Sequence, residues 1–139
     1  MHFAVNWLAV IVAAVVSMAL GAAWYTLLSK QWLSAIGKTR EELNASWQPF
    51  AWGFAVQLVM AYFMALVTPA LFGAVDVGTG ILAGVHMWLG FVITALILNH
   101  RYQNMSWRLT LIDGGYLLGV LVVQGIVIGL FGGGALVAA

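Results

Sequence analysis

The sequence predicts an all-α integral membrane protein in which four helices cross the bilayer as one bundle. Of its 139 residues, 64% are hydrophobic and 6% are charged, whereas soluble domains carry about 25% charged residues. Four apolar runs, over residues 3–28, 50–72, 78–98 and 109–131, each hold at least 21 residues. A helix needs about 20 apolar residues to cross the hydrocarbon core. The longest polar gap, residues 29–49, is too short for a second domain.

The first run predicts a retained membrane helix, because it is too long for a signal peptide and no basic residue precedes it. Ala13, Ser17 and Gly21 recur at every fourth position. This spacing puts small side chains on one helix face and predicts close packing against another helix. Trp24 and Tyr25 follow near the end of the run, where amphipathic rings favour the headgroup level.

The polar gap after the first run predicts a short interfacial helix over residues 40–47. Thr39 and Glu42 have the T-x-x-E spacing of a capping box, in which the two residues satisfy each other's backbone amides. Leu43 and Trp47 would then share one apolar face of that helix. Pro49 is expected to end it and to turn the chain into the second run.

The second and third runs predict an antiparallel hairpin, because only residues 73–77 separate them. Pro69 lies near the end of the second run and is expected to kink or end its helix. Gly80 and Gly84 form a GxxxG pair in the third run, which predicts a close helix contact.

The fourth run is the one around which the bundle is organised. It holds Asp113, the only carboxylate inside an apolar run, and it has the densest spacing of glycines in the chain. These glycines are Gly115, Gly119, Gly125, Gly129 and Gly133. The spacing predicts close helix packing, and we expect the chain to self-associate as a homo-oligomer because a four-helix bundle leaves much lipid-facing surface.

The basic residues predict the orientation in the membrane. Three lie between the first and second runs and two between the third and fourth, with none at the other ends: Lys30, Lys38, Arg40, Arg101 and Arg108. Lysine and arginine in short loops stay on the cytoplasmic side. The sequence therefore predicts that both termini lie outside the cytoplasm, which in a bacterium means in the periplasm.

Five polar side chains inside the runs are the candidate functional positions: Asp113, Gln57, Thr94, His86 and Gln124. At about 1.5 Å of rise per residue, the first three fall at one depth and the last two at another. We therefore expect His86 to hydrogen-bond Gln124 or a backbone carbonyl. For Asp113 we expect a helix-capping role or an ion pair with Arg108 or Arg101; the alternative is a proton-carrying or substrate-binding group.

The composition excludes several classes of chemistry. The chain has no cysteine, which rules out disulfides, thiolate catalysis and sulfur-bound metal centres. One histidine per depth predicts no metal site, and a net charge of +1 without a basic cluster predicts no nucleic-acid partner. Ser17, His86 and Asp113 differ in depth by about 10 Å or more, so we expect no catalytic triad, no enzyme activity and no cofactor.

An ordered set of motifs runs nearly the whole length of the chain: residues 6–10 (NWLAV), 20–25 (LGAAWY), 37–43 (GKTREEL), 88–91 (WLGF) and 114–116 (GGY). In this order and spacing they resemble the four-span bacterial membrane proteins grouped as domain of unknown function 1761. The resemblance implies four spans in a bacterial inner membrane, and it carries over no functional residue. Asp113 departs from the pattern, since the resemblance implies asparagine or another small polar residue there.

Two functional hypotheses remain. The first is a non-enzymatic oligomeric module that binds a lipid, a small hydrophobic ligand or another membrane protein. The second is a small transporter or channel with a polar path lined by Asp113, Gln57 and Thr94.

Overall fold

The computed structural model describes residues 5–132, in which helices are joined by short turns and no strand occurs. The α-helices are α1 (Trp7–Leu27), α2 (Ser29–Ile36), α3 (Gln48–Phe72), α4 (Val77–Met87), α5 (Ile93–Tyr102) and α6 (Trp107–Phe131). A π-helical segment, Trp88–Val92, joins α4 to α5 without a break. The all-α prediction is confirmed. The predicted first-run start at Phe3 and the glycine at 133 lie outside the described residues.

Four stretches are long and apolar enough to cross a membrane. They are α1, α3, the continuous stretch Val77–Tyr102 and α6. We call Val77–Tyr102 the third span. Three of these stretches begin at a capping residue: the side chains of Asn6, Asp76 and Ser106 accept hydrogen bonds from backbone amides in the first turns of α1, α4 and α6. Such caps satisfy backbone amides that have no partner inside the helix.

The polar linker folds differently from the prediction. Its helix is α2, which ends where Gly37 adopts a left-handed φ of 70°. The helix predicted over residues 40–47 is only a 3-10 turn, Arg40–Glu42. Glu42 does accept from the Thr39 amide at 3.1 Å, so the local signal was real. It holds a single turn, however, because such a short helix has no cooperative gain to extend it.

Helix α6 is the centre of the bundle. It contacts α1, α3, α4, α5 and α2, and its buried side chains recur along its whole length. A helix surrounded in this way must present small or apolar groups on several faces, as the fourth run does.

Close backbone contact between α4 and α6 uses the glycines of both helices. A Cβ atom at Gly80 would overlap the Gly125 carbonyl, and one at Gly125 would overlap the Gly80 carbonyl. A Cβ at Gly84 would lie 2.7 Å from the Leu121 carbonyl oxygen. Gly129 likewise faces the backbone at Asp76. The predicted GxxxG contacts are therefore contacts within one chain, and they provide no surface for self-association.

Pro69 lies inside α3 and does not end it. The helix continues to Phe72 and ends at Gly73, which has a left-handed φ of 68°. Proline removes one backbone donor from the helix. The neighbouring Thr68 hydroxyl donates to the Met64 carbonyl at 2.7 Å, which adds a bond in the same turn.

The π-helical segment changes which residues of the third span face α6. A π turn holds one residue more than an α turn, so every later side chain is displaced around the axis. Gly80 and Gly84 face α6 before the segment, and Ile93 reaches Gly114 of α6 after it. Counting 3.6 residues per turn from Gly84 would instead bring residues 91 and 95 to that face.

Candidate functional site

Asp113 is bound by a tyrosine, which the sequence did not predict. The Tyr25 hydroxyl donates to its carboxylate at 2.7 Å, and both residues are half-buried. Asp113 lies about 9 Å along α6 from Trp107, at about 1.5 Å per residue. The helix cap is Ser106, so the capping expectation for Asp113 is wrong.

Arg101, one of the two arginines expected to pair with Asp113, is held elsewhere. Arg101 donates to the Thr110 hydroxyl at 3.0 Å, and its guanidinium lies 3.9 Å from the ring centre of Trp107. His100 contacts the same hydroxyl at 2.8 Å. Arginine stacks readily on an indole because its charge is delocalised over a planar group. The Thr110 hydroxyl therefore contacts both Arg101 and His100 near the start of α6.

Two glutamines and a second tyrosine form a hydrogen-bonded group in the interior. Gln57 donates from Nε2 to the Tyr116 hydroxyl at 2.8 Å, and Gln124 donates from Nε2 to Gln57 Oε1 at 3.0 Å. The Tyr116 ring meets the Tyr25 ring edge to face, with centroids 5.1 Å apart. We call these five residues, Asp113, Tyr25, Tyr116, Gln57 and Gln124, the polar file.

The polar file ends at an unpaired atom. Gln124 is fully buried, and its Oε1 has no hydrogen-bond partner among the described residues. The orientation of a side-chain amide is an assignment. Exchanging the oxygen and nitrogen positions of both amides would pair Gln124 Oε1 with Gln57 Nε2 but would leave the Gln124 NH₂ group unpaired. In either arrangement one polar group of the Gln124 side chain is buried without a hydrogen-bond partner among the described residues. The hydrogen bonds of the polar file therefore end at Gln124.

Two tryptophans fix the start of α6 between its neighbours. Trp24 of α1 donates to the Ile112 carbonyl at 3.0 Å, and Trp88 of the π segment donates to the Gly114 carbonyl at 2.8 Å. These hydrogen bonds from neighbouring helices fix the rotation of α6 about its own axis. They therefore also fix the direction in which the Asp113 side chain points.

The small-residue positions predicted on α1 and α6 also pack within the chain. Ser17 is fully buried and donates to the Ala13 carbonyl at 2.8 Å. A Cβ at Gly21 would lie 2.9 Å from the Tyr116 hydroxyl oxygen. Gly115 faces the Trp24 ring and Gly119 faces Leu20. These glycines therefore make room for large side chains rather than for a second chain.

His86 and Thr94 are not part of the interior. Both are exposed on the third span. His86 uses Nδ1 to bond the Leu82 carbonyl at 2.7 Å, so of the two expected partners it has the carbonyl and not Gln124. Thr94 donates to the Gly90 carbonyl at 3.0 Å. The predicted path through Asp113, Gln57 and Thr94 is not assembled, because the π segment turns Thr94 outward.

An apolar groove opens between α3 and the third span. It has a volume of about 260 Å³, and Leu121 of α6 lies at its wall. Its lining side chains are all apolar: Val59, Met60, Phe63, Met64, Val67, Met87, Phe91, Val92 and Leu121. Three of the six methionines in the chain are among them. We call this feature the methionine groove.

The family model for the protein of unknown function DUF1761 matches residues 8–129, which covers most of the chain and all four spans. The chain belongs to the DUF1761 family. No curated protein and no solved structure matches it.

In this DUF1761 protein the described residues contain no group of three histidine, cysteine, aspartate or glutamate side chains that could hold a metal. The two distinctive features of the described residues are instead the polar file and the methionine groove. Sequence reasoning missed Tyr25 and Tyr116. Tyr116 follows Asp113 by three residues, a spacing that puts both on one face of a helix, so this part of the file had a readable signal.

Proposed function

We propose that this DUF1761 protein is a non-enzymatic membrane module that binds one hydrocarbon chain of a lipid in its methionine groove. The observation that carries the proposal is the groove itself, which is wholly apolar and lies at the π segment of the third span. Its volume of about 260 Å³ is above the roughly 150 Å³ that holds benzene and below the roughly 300–1,000 Å³ of pockets for drug-sized ligands. That size suits part of one slender chain.

The side chains of the groove support the same proposal. Methionine has an unbranched, polarisable side chain that adapts to different apolar shapes, and Met60, Met64 and Met87 come from two different spans. Departures from α-helical geometry of this kind are frequent at functional sites. An acyl chain in the groove would contact both α3 and the third span, at a level where these two helices do not fill the space between them.

The test compares two tryptophan substitutions on α3. Val59 lines the groove and is 56% exposed, whereas Val56 does not line it and is 50% exposed. Val59→Trp should fill the groove and reduce the lipid retained in native mass spectrometry from mild detergent, while Val56→Trp should retain lipid as the wild type does. Equal retention by both variants would contradict the proposal.

Self-association remains the proposed assembly, and we propose the outer side of the third span as its surface. His86, Gly90 and Thr94 follow one another at four-residue spacing on the outer side of the third span, and a Cβ at Gly90 would meet nothing. No partner of His86 Nε2 occurs among the described residues. Polar groups facing hydrocarbon are costly, and a two-fold pairing at Gly90 would let two such rings share a bridging water.

Cysteine cross-linking in native membranes tests this assembly. The chain has no cysteine of its own, so Gly90→Cys introduces a single reactive site. A disulfide needs Cα atoms within about 7 Å. Gly90→Cys should form a covalent dimer on oxidation, whereas Val15→Cys, on the exposed side of α1, should stay monomeric. Monomer in both cases would remove the proposed interface.

The proposed setting is a bacterial inner membrane, with residues 29–49 and 99–108 on the cytoplasmic side. The five basic residues in these two segments support that orientation. The absence of a catalytic role is supported by the placement of the reactive groups, since the Ser17 hydroxyl is bound to Ala13 and His86 lies on the outer surface.

A further inference from the structure

We infer that the Asp113 carboxylate, flanked by Tyr25 and Trp32, binds an alkylammonium group at the membrane interface. This site is separate from the methionine groove. It lies where the end of α1, the interfacial helix α2 and the first turns of α6 meet. The inference rests on the carboxylate, its neutral partner and the aromatic rings around it.

The carboxylate has a neutral hydrogen-bond partner in place of a cation. Tyr25 donates to Asp113 at 2.7 Å, and the Trp32 side chain lies beside the same carboxylate. An ionised acid in a partly apolar site needs a compensating positive charge. Among the basic groups of the described residues, Arg101 is bound by Thr110 and Trp107, and His100 contacts Thr110. The remaining lysines and arginines are exposed: Lys30, Lys38, Arg40 and Arg108.

The aromatic rings that contact Tyr25, the partner of Asp113, indicate the class of cation. Tyr25 meets Trp32 edge to face with centroids 5.4 Å apart, and it meets Tyr116 at 5.1 Å. Aromatic rings attract organic cations through their quadrupole and are the usual surroundings of alkylammonium ligands. A hard metal cation would instead need about six oxygen ligands, and the described residues offer no such cluster.

The position of α2 gives the site access from the headgroup region. Lys30, Gln31 and Ser34 are exposed on one side of α2, whereas Trp32 and Leu33 are half-buried against the bundle. An amphipathic helix of this kind lies in the plane of the interface. An ammonium group entering beside Trp32 can keep its hydrocarbon tail in the bilayer. A lipid headgroup and a free alkylamine share this chemistry.

The test is titration calorimetry with hexyltrimethylammonium, using the full chain in phosphatidylglycerol nanodiscs. Wild type should bind saturably, and Asp113→Asn should weaken binding by about tenfold or more. Asparagine still accepts a hydrogen bond from Tyr25, so the fold should persist. The matched control is Asp76→Asn at the start of α4, which removes the same charge far from the site and should leave binding unchanged.

A second variant separates the aromatic contribution from the charge. Trp32→Leu keeps the carboxylate and should weaken binding by about threefold to tenfold. Hexanol has the same tail without the charge and should show no saturable binding. Equal affinity in wild type and Asp113→Asn, an equal loss in Asp76→Asn, or no saturable binding by wild type would overturn the inference.

Nanodiscs of different composition identify the source of the cation. If a lipid headgroup is the ligand, adding phosphatidylethanolamine should compete and weaken hexyltrimethylammonium binding to wild type but not to Asp113→Asn. If the ligand is a free alkylamine, phosphatidylethanolamine should have no effect. Both results support ammonium binding at Asp113, and neither depends on whether the methionine groove holds a lipid chain.

Discussion

The two halves of the third span contact the rest of the bundle in opposite ways. In α4, Gly80 and Gly84 bring the helix into backbone contact with α6. From the π segment onward, Trp88 and Ile93 reach Gly114 of α6 through their side chains, while Phe91 is exposed and an apolar groove opens beside α3. One helix is therefore in backbone contact with α6 in its first half and in side-chain contact in its second half, where the groove opens. The π segment is the point of change.

The largest effect is expected where the contact is closest. Gly80→Ala places a methyl group on the Gly125 carbonyl, and over-packing of this kind costs about 1–3 kcal/mol or more. The matched change is Gly53→Ala in α3, where a Cβ atom would lie 3.5 Å from the Met18 sulfur, an ordinary contact distance. Unfolding in mild detergent should show a loss for Gly80→Ala and none for Gly53→Ala. Similar stabilities would mean that α4 and α6 are not in backbone contact.

The polar interior should give the next largest effect, and an asymmetric one. Gln57 bonds both Tyr116 and Gln124, whereas Gln124 bonds Gln57 and keeps one atom unpaired. Hydrogen bonds between membrane helices average about 0.6 kcal/mol and reach about 1.7. Gln57→Leu should therefore cost more than Gln124→Leu in the same unfolding measurement. The reverse order would show that the two glutamines have other partners.

The smallest effect is expected at the junction of the two halves. Trp88→Phe removes the bond from the π segment to the Gly114 carbonyl and should cost about 0.6 kcal/mol. Trp52→Phe is the control, because Trp52 is exposed on α3. The first change should also alter lipid retention in the groove, since Trp88 holds the π segment against α6. No difference between the two variants would show that Trp88 does not hold the π segment against α6.

Much of the fold could be predicted from hydrophobic length alone. The four runs and the central place of the fourth were readable, because a bilayer demands about 20 apolar residues per helix and close packing demands small ones. The helix α2 was missed because it continues almost directly from α1, with Leu28 between them. The T-x-x-E signal at Thr39 specified only one turn.

The site was less predictable, because depth along a helix does not give direction around it. Asp113, Gln57 and Gln124 were singled out as polar groups within the apolar runs, but Tyr25, the partner of Asp113, and Tyr116, the partner of Gln57, were not. Thr94 was assigned to the interior by depth, and the π segment, which has no sequence signature, turned it outward. His86 was more readable: it follows Gly84 by two residues, about 200° around the helix, so it faces away from α6.

The most direct test of the central claim maps where lipid chains contact the protein. A phospholipid with a photoreactive acyl chain would be cross-linked in membranes, and the modified peptides identified by mass spectrometry. If the groove holds a lipid chain, labelling should be concentrated on Met60, Met87 and Phe91, should be weak at exposed positions outside the groove such as Val15 and Val56, and should be lost from the groove in Val59→Trp. Uniform labelling around the bundle, unchanged in Val59→Trp, would contradict the central claim.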